Sequence, residues 1–187
     1  LISYWWGAAG PSDLYAQKVN SSGQLEWGPD GLAVCSASQD QLDPDLSVDS
    51  ENNVTIVWTD TRTDTISNWN IYIQKILPTG QFYYPVNGRA VSLAANQQEK
   101  PKIMADDRDG NYILWEDSRN GGPFPKDVFG THLTSNGDLS SWGGWIPNGN
   151  GVNTTLLDQH NIGLTDDFAA GFMAVWEDLR SSGKAPV

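Results

Sequence analysis

Residues 54–62, VTIVWTDTR, return as residues 112–119, YILWEDSR, and again as residues 173–180, MAVWEDLR. Each copy is a run of apolar and β-branched residues closed by the pattern W-x-D-x-R, so each reads as one strand and the turn that stops it. Aligning the tryptophans gives Trp58, Trp115 and Trp176, followed at plus two and plus four by Asp60 and Arg62, Asp117 and Arg119, Asp178 and Arg180. A pattern that recurs whole marks a repeat array, in which each unit buries its apolar face on its neighbour.

Outward from that strand, the stretch DLYAQKVNSSGQLEW from Asp13 matches NIYIQKILPTGQFYY from Asn70 and DVFGTHLTSNGDLSS from Asp127, starts that lie 57 residues apart. Gly23, Gly80 and Gly137 keep the same spacing. Between Trp115 and Trp176 the distance grows to 61, and the four extra residues fall in the Gly- and Trp-rich stretch SWGGWIPNGNG. An insertion in one loop leaves the register intact.

One period carries four strands. In the second unit these are a short segment after Pro44 over residues 45–49, the apolar run 54–59, an alternating run 71–76, and 89–93, with turn residues SENN, TRTDTISN, LPTGQ and AANQQEKP between and after them. The second strand is apolar on both faces and must be covered on both. The third, with Gln17, Lys18, Gln74 and Lys75, is expected to face water. Small antiparallel sheets stacked face to face at a fixed period are the blades of a β-propeller. The expected architecture is therefore all-β, with four-stranded blades of about 57 residues in an incomplete ring: part of a blade over 1–36, blades over 44–94 and 101–157, and part of a blade over 162–187. Propellers close with about four to eight blades, so the expected partners are remaining blades of a longer chain or another protein subunit.

Composition limits the partners further. There are 23 acidic against 11 basic residues among 187, a net charge of −12, which opposes nucleic acid and anionic membranes. No apolar run approaches the length that spans a bilayer. The single cysteine, Cys35, reads as a buried strand residue. Abundant Asn, Gln, Ser, Thr, Gly and Trp with few Lys and Arg is the composition of many extracellular and cell-surface all-β proteins.

The combination of W-x-D-x-R with a D-[LIV]-[YF] strand and a turn glycine, repeated in register along the whole chain, resembles the propeller repeats of large secreted and surface bacterial proteins. More distantly it resembles the Asp-box repeats of sialidase-like propellers, although Trp115 lies five residues after Gly110 where the Asp-box S-x-D-x-G-x-x-W has three. The resemblance implies a propeller fold in a secreted or surface protein.

Candidate chemistry is read against that background. Asp60, Asp117 and Asp178 with Arg62, Arg119 and Arg180 recur in every unit, as structural devices do, and carboxylate and guanidinium are placed to close the turn as bidentate pairs. The functional alternative is an arginine cluster holding a carboxylate ligand. Asp106, Asp107 and Asp109, with Asp43, Asp45 and Asp49, invite calcium, but lack the spacing of a helix–loop–helix calcium site and read as turn residues. No other cofactor is implied. His132 and His160 stand alone in sequence. Trp5 and Trp6, and Trp142 and Trp145 in the insertion, are the aromatics outside the repeat; exposed indoles stack on sugars or anchor protein interfaces, so Trp142 and Trp145 are the candidate binding residues. The first functional expectation is a non-catalytic propeller scaffold and interaction module of a larger secreted or cell-surface protein. The alternative is part of a sialidase-like propeller glycoside hydrolase, with a carboxylate pair drawn from different blades, or a carbohydrate-binding propeller.

Overall fold

The computed structural model describes residues 10–63, 68–121, 125–139 and 144–179. Twelve strands follow one another in it: β1 (Leu14–Ala16), β2 (Leu32–Cys35), β3 (Gln41–Val48), β4 (Val54–Asp60), β5 (Asn70–Ile76), β6 (Arg89–Ser92), β7 (Gln98–Ala105), β8 (Asn111–Asp117), β9 (Asp127–Leu133), β10 (Asn150–Asn153), β11 (Gln159–Asp166) and β12 (Phe172–Asp178). They form two complete antiparallel meanders, β3-β4-β5-β6 and β7-β8-β9-β10, flanked by the pairs β1-β2 and β11-β12. These are blades of a β-propeller: two whole, one reduced among the described residues to its third and fourth strands, one to its first and second. The second strand expected of the first unit lies outside the described residues.

The core is divided among the seams between blades. Trp58 and Ile56 of β4 meet Leu14, Ala16 and Val34 of the preceding sheet, while Val57, on the other face of the same strand, meets Ile103, Ile113 and Trp115 of the following one. Leu114 and Val128 continue the pattern against Ile162, Leu164 and Trp176. The two-sided apolar second strand is thus explained, and every tryptophan of the repeat faces the preceding blade. Trp58 and Trp115 are 0% exposed; at roughly 25 cal/mol per Å² over about 200 Å², each burial contributes about 5 kcal/mol. Trp176, expected to be equally buried, is only half-buried, because β12 is covered by a blade on one side alone.

Each indole needs a floor, and a glycine supplies it. Gly88 and Gly149 hold φ of 78° and 81°, and a Cβ at either would collide with the ring of Trp58 or Trp115.

Two expectations are corrected. The first strands begin at Gln41 and Gln98, ahead of Pro44 and Pro101, because a bulge between Leu42 and Asp45, and between Glu99 and Lys102, accommodates the proline within the strand. Asp43, Lys100 and Asn161 take the bulge position with φ of 49°, 50° and 58°. In the first complete blade the third strand does not face water at its polar residues, although the equivalent Lys18 is exposed and pairs with Glu26 at 2.9 Å. Gln74 is buried, its amide donating to the carbonyls of Tyr84 and Pro85 and accepting from the Tyr84 and Lys75 N–H groups, and Lys75 is buried against Asp49 at 2.9 Å. A buried amide is tolerated here because it substitutes for the ladder where the chain leaves the sheet.

The W-x-D-x-R residues close a network at the end of each second strand. Asp60 accepts from the Trp58 indole at 2.8 Å, the Arg62 N–H at 2.9 Å, and Arg62 Nε and Nη2 at 2.8 and 2.6 Å. Asp117 repeats the set with Trp115 and Arg119 at 2.7, 2.9, 2.9 and 2.6 Å. Both carboxylates are 0% exposed. Asp117→Ala strands a partly buried guanidinium and a buried indole N–H, and is expected to lower unfolding stability by about 2 kcal/mol; chemical denaturation of the two proteins measures it, and a loss below about 1 kcal/mol would show that the network is not what holds the strand end.

Candidate functional site

The repeat is a control for function, since a residue present in every blade serves the blade, and a residue that departs from the pattern is free for another task. One set of departures gathers at a single place. A cleft of about 520 Å³ opens at the seam between the second complete blade and β11-β12, lined by Asp106, Tyr112, His132, Thr134, Trp145 and Ala170 among others.

Tyr112 is the second residue of β8, where the equivalent residue of β4 is Thr55. Its ring lies 4.8 Å from that of His132, 5.1 Å from Phe172 of β12 and 6.2 Å from Trp145, and its hydroxyl donates to the Ala170 carbonyl at 2.8 Å. Trp145 lies 6.5 Å from Phe172. It is carried by the four-residue insertion, which reaches over the blade edge to add an indole to this aromatic floor. Tilted ring pairs at these distances are favourable.

His132 occupies the position of Lys75 and Lys18, 57 and 114 residues earlier. In the preceding blade that lysine pairs with Asp49; here His132 Nε2 lies 2.6 Å from Asp106 Oδ2. The swap of an ammonium for an imidazole keeps a side-chain contact with the carboxylate and adds a flat ring to the wall. Burial pushes the Asp106 carboxyl up, but hydrogen bonds from His132 and from the Arg108 and Gly110 N–H groups outweigh it and hold it below its ordinary 3.8. Burial and the neighbouring carboxylates push the Tyr112 phenol up, so it remains a neutral donor. Asp107 and Arg108 form the exposed rim. The site thus combines aromatic faces with fixed polar groups, an arrangement suited to a ligand that has both apolar C–H faces and hydroxyls.

The other expected residues go elsewhere. Arg62 and Arg119 are each held by their own aspartate and by the Asn87 or Asn148 carbonyl at 2.9 and 2.6 Å, and do not converge on a common anion. Arg180 and Trp142, like Trp5 and Trp6, lie outside the described residues. The Trp176 indole reaches Asp178 at 3.4 Å. The acidic groups separate: Asp109 accepts from the Ser50 N–H and hydroxyl, Asp45 from the Ile103 N–H, and Asp49 from Asn53 and Lys75. No group of three or more His, Cys, Asp or Glu side chains that could hold a metal occurs among the described residues. Cys35 stands in the repeat position of Ser92 and accepts from Arg62 Nη2 at 3.2 Å.

A second set of departures lies at the bulges. A cleft of about 360 Å³ is bordered by Asp43, Lys100, Glu116 and Asn161. Glu116 is buried and meets Lys100 at 3.3 Å and Lys126 at 3.4 Å, Lys126 also binds Glu99, and Glu116 accepts from the Asn161 N–H at 3.0 Å. Burial, then the charge of Glu99, pushes the Asp43 carboxyl up. These charges are largely neutralised within the fold.

No protein-family model matches the chain, and no curated protein does. Among solved structures it is similar to an endo-arabinase from Bacteroides thetaiotaomicron, with a TM-score of 0.58 and 14% identity, over 94% of this chain and 64% of the other. The likeness is one of fold, and this chain spans less than two thirds of that protein's length.

Because the folded pKa of Asp106 is depressed, its pair with His132 stabilises the protein above pH 3.8, and the contribution is lost as pH falls from there toward the folded value. Asp106→Asn is expected to flatten the acid limb of stability below about pH 4 relative to the wild type. Urea denaturation across that range is the measurement; parallel curves would show that the pair contributes nothing.

Proposed function

We propose that this chain is a carbohydrate-binding segment of a β-propeller in a larger secreted or cell-surface protein, with the cleft over Tyr112, Trp145 and Phe172 as its glycan site. The observation that carries the reading is the coincidence of three repeat-breaking features at that one cleft: the tyrosine in place of a threonine, the histidine in place of a lysine, and the inserted tryptophan. A sugar ring presents an apolar face of C–H groups for Tyr112 or Trp145 and equatorial hydroxyls for His132, Asp106 and Thr134. The aromatic rings are held by one another, so little side-chain freedom is lost on binding. The similarity in fold to an endo-arabinase, an enzyme that acts on a glycan, supports the ligand class.

The test is calorimetry and tryptophan fluorescence of the intact protein against a panel of plant and bacterial oligosaccharides, arabino-oligosaccharides among them. Trp145→Ala is expected to weaken binding about tenfold, since a stacked ring contributes on the order of 1 kcal/mol. His132→Lys restores the repeat residue and its ion pair, so it is expected to reduce affinity with stability unchanged. Absence of binding across the panel, or affinities indifferent to both variants, would refute the reading.

A hydrolytic reading is favoured by a different observation, the cleft that Asp43 and Glu116 border together, with burial pushing the Asp43 carboxyl up, because glycoside cleavage uses a pair of carboxyl groups in different environments. Hydrolysis of the same oligosaccharides, abolished in Asp43→Asn, is its test.

A further inference from the structure

The hairpins that join first to second strands meet at two seams, and only one of these is tied shut. Between the two complete blades, Asp109 Oδ1 accepts from the Ser50 N–H at 3.0 Å and from the Ser50 hydroxyl at 2.6 Å, hooking the hairpin after β3 to the hairpin after β7. At the next seam both partners of this hook are replaced. Asp107 stands where Ser50 does, 57 residues on, and Ala170 where Asp109 does, 61 residues on across the insertion. The backbone is kept. Asp106 Oδ1 accepts from the Arg108 and Gly110 N–H groups at 2.8 and 2.7 Å, as Asp49 Oδ1 does from those of Glu51 and Asn53 at 3.1 and 2.8 Å. Ala170 holds a φ of 64° against 61° at Asp109, a left-handed conformation that suits Asp or Asn better than alanine. A carboxylate opposite a methyl group cannot make the hook, so the two residues are released from that task, and both line the cleft.

The Asp107 side chain is 60% exposed at the mouth and lies 4.0 Å from Arg108. Among the described residues lining the cleft, Arg108 is the one standing cation, for His132 faces Asp106. Lys75, which reaches the Ser135 carbonyl at 3.5 Å, is paired with Asp49. Against Arg108 stand Asp106, Asp107 and, on the opposite hairpin, Asp167, whose Oδ1 accepts from the Ala169 and Gly171 N–H groups at 2.7 and 2.9 Å. Burial, and then the charges of these three carboxylates against that of Arg108, push the Tyr112 phenol up, so their field reaches the aromatic floor. We infer that Asp107 is a specificity-determining residue of the cleft: a carboxylate released from the hairpin hook that admits neutral glycans and rejects those bearing uronic acid or sulfate groups. The inference rests on the glycan reading of this cleft. A neutral ring stacked on Tyr112 or Trp145 offers hydroxyl donors to the rim, whereas an anionic ring brings like charge against it.

The experiment is calorimetry of the intact protein with ligand pairs matched in backbone and differing in charge. These are methyl-esterified and free oligogalacturonides, xylo-oligosaccharides without and with a glucuronic acid branch, and cello-oligosaccharides before and after oxidation at C6. The neutral member is expected to bind about fivefold more tightly at low salt, the effect of one like charge about 4 Å away in a water-like dielectric. That ratio is expected to fall toward one in roughly 1 M salt, where the screening length is about 3 Å. It is expected to fall in the same way in Asp107→Asn at low salt, with the thermal midpoint unchanged because the side chain is largely exposed. Equal or tighter binding of the charged members, or a ratio that Asp107→Asn leaves as it is, would overturn the inference while the glycan reading stands. Failure of every member to bind would overturn both.

Discussion

The rest of this fold depends on a carboxylate held out of contact with water against an arginine. Asp60 and Asp117 sit at the ends of the deepest strands with 0% exposure, a position that costs several kcal/mol unless every lone pair is matched. Each is matched, by an indole N–H, a backbone N–H and two guanidinium N–H groups. The same guanidinium then reaches the carbonyl of Asn87 or Asn148 in the loop before the fourth strand and stacks over Tyr72 or Phe129 at 4.0 and 3.9 Å. One anion therefore fixes the tryptophan that fills the seam, the turn that ends the strand, and the loop that brings the fourth strand home. Lysine could not replace the arginine, because the network uses the planar fork and the flat face together.

This is why the architecture was legible and the cleft was not. W-x-D-x-R is local, so its geometry is written within five residues, and its recurrence gives the period and phase of the blades without any tertiary information. Gln74 and Lys75 misled because their partners, the loop carbonyls at Tyr84 and Pro85 and the carboxylate of Asp49, are distant in sequence; polarity by itself reads as exposure. Pro44 and Pro101 misled for a related reason, since a proline reads as a strand boundary unless a bulge takes it in. At the cleft, Trp145 stood out as an insertion, but Tyr112 looked like one more apolar strand residue and His132 like an isolated histidine. Aligning His132 on Lys75 and Lys18, and Asp106 on Asp49, would have exposed the exchanged ion pair, which is visible only when the repeat is used as its own reference.

The two kinds of position answer to different constraints. A seam residue such as Val57 or Leu114 is wedged between its own sheet and the next one, so its volume is fixed by packing. A residue at a strand end, such as Tyr112 or Asn161, is held by a single hook to the next blade and keeps a free side. Departures from the repeat therefore collect at strand ends, and they do so at opposite ends of the blades for different chemistries: aromatics around Tyr112, paired charges around Glu116. The first set leaves ring faces open to a ligand, while the second closes on itself through Lys100 and Lys126.

A stack of blades in contact only with neighbours has stability that accumulates seam by seam. The interior seams here bury whole strands on both faces, and the terminal sheets bury one face each. The outermost strands are thus the weakest part of the array, even though β12 carries the same W-x-D sequence as β4 and β8. The difference is visible in a single hydrogen bond: the indole of Trp58 or Trp115 meets its aspartate at 2.8 or 2.7 Å, that of Trp176 at 3.4 Å. The Trp–Asp pair tightens where a blade covers it on both sides, so the local motif and the stacking of blades are one cooperative structure rather than two independent contributions.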